Sequence, residues 1–70
     1  MKTHQIGDMV IPFWTAGTDL YPNTLSIEPL GRVHGPGMVL DVRWQGGSEM
    51  VRVVANGIVG WCEAGEWSAA

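Results

Sequence analysis

Apolar and polar residues alternate with a period of two along the second half of this chain, and no stretch repeats apolar positions at the i, i+3, i+4, i+7 spacing of an amphipathic helix. Ten glycines and four prolines cut the apolar runs short, so the pattern predicts an all-β fold. A first strand is expected over residues 7–13, GDMVIPF, ended or bulged at Pro12 because proline cannot donate to a central ladder. Residues 14–30 then form a long loop carrying Gly17, Pro22, Asn23 and Pro29, with a short irregular hairpin around Tyr21 to Asn23. Loops of that length in a small domain often carry function. Glycines 31, 35 and 37 allow sharp bends before a strand from Met38 to Trp44.

Two turn signals set the register of the second half of the chain. If Gly46-Gly47 and Asn56-Gly57 are both two-residue hairpin turns, Val42 faces Val51, Leu40 faces Val53 and Met38 faces Ala55. In the second hairpin Ala55 faces Ile58, Val53 faces Gly60 and Val51 faces Cys62. One face then carries Met38, Leu40, Val42, Val51, Val53, Ala55, Ile58, Gly60 and Cys62, none of them charged. The opposite face carries Val39, Asp41, Arg43, Met50, Arg52, Val54, Val59, Trp61 and Glu63, with Asp41, Arg52 and Trp61 in one cross-strand row. A slip of one residue would turn the charged set inward, so the turns and the alternation specify the same register. Residues 64–67 are expected to lead into a short last strand or to make one turn of 3₁₀-helix, with Trp67 plugging an open end.

Length and chemistry narrow the picture. The 70 residues are read as one domain over 1–70, at a size where core burial alone gives little margin. Cys62 is the single cysteine, so no intramolecular disulfide can form, and a lone thiol suits a reducing compartment. No pair among His4, His34 and Cys62 has zinc-ligand spacing, so no metal and no cofactor are expected. The stretch MKTHQIGD lacks a signal-peptide core and no run is long enough for a membrane helix, which gives a cytoplasmic expectation with no membrane partner. A net charge of −3 disfavours a phosphate backbone as partner without excluding a local basic strip.

The order of strand, long loop, glycine-rich bend, three-stranded meander and closing segment resembles the layout of an SH3-like small barrel of about five strands. GDMV at 7–10, GPGMVLDVR at 35–43 and VRVVANGIVGWC at 51–62 resemble small bacteriophage-encoded and KOW- or Tudor-related SH3-like proteins. That resemblance implies an interaction module or small subunit of a larger assembly, found in a host cytoplasm or a virion. The alternative it implies is a nucleic-acid-binding barrel, for which only Arg32 and His34 lie beside the glycine-rich bend.

Four tryptophans in so short a chain raise the question of a binding surface. Trp67 reads as packing, and Trp44 lies beside its turn. Trp14 and Trp61 read as candidate contacts, and Arg52 is placed to stack on Trp61 with Asp41 holding its other edge. A purely structural cross-strand row explains the same trio. With Tyr21 from the long loop, the expected binding residues are Trp14, Tyr21, Asp41, Arg52 and Trp61, facing a protein partner or a second copy. No nucleophile context surrounds Ser26, Ser48, His4 or His34, and Cys62 points inward, so no enzyme is expected.

Overall fold

The computed structural model describes residues 4–70. Its strands are β1 (Met9–Pro12), β2 (Thr18–Leu20), β3 (Gly31–Val33), β4 (Gly37–Gln45), β5 (Ser48–Ala55), β6 (Ile58–Glu63) and β7 (Trp67–Ala69), with a 3₁₀ turn at Ala64–Glu66 before β7. One sheet runs β6-β5-β4-β1-β7 and a second pairs β2 with β3, every pairing being antiparallel. The all-β expectation holds, but a closed barrel of about five strands does not. Among the described residues the two sheets share one backbone bridge, between Tyr21 and Trp61, and pack together in the core through Leu20 and Val33, but the strands do not close into a barrel. The long loop is also more ordered than expected, since it begins in β2 and its return is β3, where only bends were foreseen. No helix among the described residues is long and apolar enough to cross a membrane.

Both hairpin turns have the predicted chemistry. Asn56 and Gly57 have φ of 50° and 78°, Gly46 and Gly47 have 61° and 82°, and this run of positive values is what a type I′ turn requires. The β5–β6 register matches the expectation throughout, with Val51 opposite Cys62, Val53 opposite Gly60 and Ala55 opposite Ile58. In β4–β5, Val42 faces Val51 as expected, but the ladder shifts between Val39 and Asp41. Beyond that bulge Val39 faces Val53 and Met38 faces Val54, in place of the expected Leu40–Val53 and Met38–Ala55 pairs. One extra residue in a strand reverses its faces, so Val39 turns inward and Met38 outward.

The core consists of Val10, Leu20, Val33, Val39, Val51, Val53, Ala55, Cys62 and Trp67, with Val42 and Ile58 packed at its border. Leu40, expected inside, is half-buried at the bulge, and Met38 is exposed. Trp67 does more than plug an opening. It is fully packed in the core, and its indole Nε1–H donates to Cys62 Sγ at 2.6 Å.

Burial pushes the Cys62 thiol up to about 12, the Trp67 N–H pulling it down less strongly and Glu66 and Glu63 raising it further. Because thiolate is the reactive species, alkylation of native protein at pH 8 should be at least about a thousandfold slower than after denaturation. Comparable rates in the two states would show Cys62 to be outside the core. The folded protein favours the neutral thiol, so its contribution to stability is complete below pH 9.0 and is lost as pH rises from there toward about 12, where the unfolded chain already carries thiolate.

Candidate functional site

Four of the five residues expected to bind a partner lie in a single cross-strand row. Asp41 faces Arg52, Arg52 faces Trp61, and Trp61 faces Tyr21 through the bridge that docks the long loop on β6. Tyr21 and Trp61 exchange two backbone hydrogen bonds of 2.9 and 2.7 Å. Gly60 makes this docking possible, because a Cβ there would lie 2.8 Å from Leu20 Cβ and 2.9 Å from the Tyr21 carbonyl oxygen. The loop is tied down again at its far side, where Thr24 Oγ1 donates to Gln45 Oε1 at 2.5 Å.

This covering changes the role of Trp61. It stands on the second face of the sheet as the alternation predicts, yet only 8% of its surface is exposed. Its ring is capped by Arg43, whose guanidinium carbon lies 4.8 Å from the ring centroid, and not by Arg52 as expected from direct opposition. Arg43 lies on β4, opposite Met50, so its long side chain reaches across β5 to cap the ring on β6. Such a contact contributes on the order of 1 kcal/mol. Asp41 does not hold Arg52 in an ion pair; its Oδ1 accepts the Val42 backbone N–H at 2.8 Å, next to the bulge.

Between the docked loop and the sheet lies a cleft of about 380 Å³. Trp61, Tyr21 and Met50 give it an apolar wall, Asn23, Thr24 and Ser26 a polar rim, and Asp19, Arg32, Glu63 and Glu66 its charges. Arg32 is fully engaged within the loop. Its Nη1 donates to the Ala16 and Gly17 carbonyls, and its Nε and Nη2 meet the two Asp19 carboxylate oxygens at 3.3 Å. Glu66 accepts the buried Thr18 hydroxyl through Oε1, and Glu63 faces solvent with no cation in contact among the described residues. With Asp19 and Arg32 neutralising each other, the cleft carries a negative potential beside an aromatic wall.

Trp14 stays apart from this arrangement. It is 54% exposed, its ring packs edge-on to Phe13 at 4.8 Å between centroids, and it does not line the cleft. Met50, Glu63 and Arg43 were placed on this face by the alternation but not singled out. Asn23 was legible as a turn residue but not as part of a site, and Thr24, Ser26 and Glu66 were not singled out as site residues, because only the docking of the loop brings them to the sheet. No family model, curated protein or solved structure matches the chain.

Proposed function

We propose that this chain is a non-enzymatic, SH3-like interaction module, a small subunit of a larger protein assembly, and that it holds its partner in the cleft between the long loop and β5–β6. One observation carries this reading: a preformed cavity walled by Trp61, Tyr21 and Met50 and rimmed by polar loop side chains, the composition through which proteins anchor one another. The succession of strand, long paired loop, three-stranded meander, 3₁₀ turn and closing strand supports the SH3-like assignment. The carboxylates of Glu63 and Glu66 favour a partner segment that brings a basic side chain to the aromatic wall. A bacteriophage origin, as a virion component or a host-directed inhibitor, rests on the sequence resemblance alone. Nucleic-acid binding is the weaker reading, since an acidic cleft in a chain of net charge −3 repels phosphate.

Immobilised protein is expected to retain one protein from an extract of its native cells across about 50 to 500 mM salt, with nucleic acid washing away early in that range. Ser26→Tyr, which fills the cleft from its rim, should abolish that retention at an unchanged thermal midpoint, whereas Trp14→Ala should leave it intact. Retention of nucleic acid with a steep salt slope, or a partner indifferent to Ser26→Tyr, overturns the assignment.

A further inference from the structure

We propose that the end of the second sheet face left open by the long loop is a self-association surface, on which a second copy of this chain packs with Asp41 of each copy against Arg52 of the other. The surface is set by the ladders. Met9 faces Met38, Met38 faces Val54 and Val54 faces Val59, so four apolar side chains form one row across β1, β4, β5 and β6. Their side of the sheet looks away from the core. Met9 is 52%, Met38 38% and Val59 39% exposed, and Ile11 extends the patch along β1. The long loop docks beside this row at Trp61 and reaches toward the opposite end of the face, where Thr24 meets Gln45, leaving Met9, Met38 and Val59 exposed. Contiguous apolar surface of this kind on a small domain marks a contact.

What identifies the occupant is the neighbouring row. Asp41 and Arg52 lie directly opposite each other on β4 and β5, yet they form no ion pair within the chain. A two-fold axis running along the strands midway between β4 and β5 exchanges these two strands between copies. Met38 of one copy then faces Val54 of the other, Met9 faces Val59, and Asp41 faces Arg52 twice over. The face is thus complementary to itself in both shape class and charge, as an isologous dimer requires, and sheets stacked this way pack about 10 Å apart with nearly aligned strands. The patch is small, so the association is weak, with the two ion pairs setting register more than affinity.

Sedimentation equilibrium of the full chain should show a monomer–dimer equilibrium as concentration rises to about 1 mM, because an interface below the standard size associates weakly. Asp41→Arg and Arg52→Asp should each be monomeric alone, since each brings like charges together, and an equimolar mixture should dimerise again because both ion pairs are restored. Asp41 also accepts a backbone N–H, so Met9→Glu and Val59→Lys supply a second pair with the same expected pattern. Wild type that stays monomeric at about 1 mM, or a dimer unchanged by all four substitutions, overturns the proposal. So does a mixture that fails to restore association from folded single variants, which would leave this face to a different partner or to solvent.

Discussion

Trp67→Ala is expected to lower stability by about 3 to 5 kcal/mol, the usual cost of deleting a buried indole. A chain of 70 residues has roughly 4 to 10 kcal/mol in total at ordinary values per residue, so most of the margin disappears. The thermal midpoint should fall by at least about 12 °C for a domain of this size. Trp67 has this weight because it closes the molecule. It starts β7 opposite Pro12, donates its N–H to Cys62, and its carbonyl receives His4 Nε2 at 3.1 Å, the same nitrogen that reaches the Ala64 carbonyl at 3.2 Å. Trp67→Phe keeps most of the apolar area but loses the N–H contact to Cys62 and part of the indole's volume, so it should cost about 1 to 3 kcal/mol, less than the alanine variant. A loss of under about 1 kcal/mol for the alanine variant would mean that β7 and the 3₁₀ turn contribute little to the cooperative fold.

The parts of this fold legible in the sequence are those where turn chemistry and alternation act on the same short stretch. Asn56-Gly57 sets a two-residue turn, the strands on either side alternate cleanly, and together they determine the whole β5–β6 ladder, including the inward Cys62 and the outward Trp61. The row of Asp41, Arg52 and Trp61 was legible for the same reason. The cleft was not, because it depends on where residues 14–30 settle. β2 and β3 have three residues each, too few for a period to show, and they pair across a gap of ten residues. The buried Leu20 and Val33 that fix them look like ordinary loop aliphatics in the sequence. Without that docking Trp61 reads as an exposed anchor, when in fact the loop and Arg43 enclose it. Trp14, equally aromatic, stayed outside the site because the loop carries it to the Phe13 side of the molecule.

The bulge in β4 supplies the second large effect. Val39→Asp should prevent folding, while Met38→Asp should cost about 1 kcal/mol or less and act mainly by removing self-association. Regular alternation from Met38 through Leu40 to Val42 argues for the reverse order of severity, since it places Met38 inside and Val39 outside. The structure gives Val39 no exposure at all and leaves Met38 on the surface. The cause is a steric one at Gly37. In the shifted register this residue presses on β5, where a Cβ would lie 2.7 Å from both Val53 Cγ1 and the Val54 carbonyl oxygen and 3.0 Å from Ala55 Cβ. A methionine inside at this end would have to occupy that contact, whereas the shift sets hydrogen against methyl and moves Met38 to open space. Strand β4 is also shared here, since the Val39 N–H and C=O bond to Asp8 and Gly7 ahead of β1. An extra residue lets the strand bend between its two partners. A carboxylate at position 39 would be held without water or a cation at the centre of the core, a penalty of several kcal/mol against a total of roughly 4 to 10. Circular dichroism and denaturant titration of the two variants decide the matter: a folded Val39→Asp beside an unfolded Met38→Asp would restore the unbulged register and, with it, Met38 and Leu40 to the core.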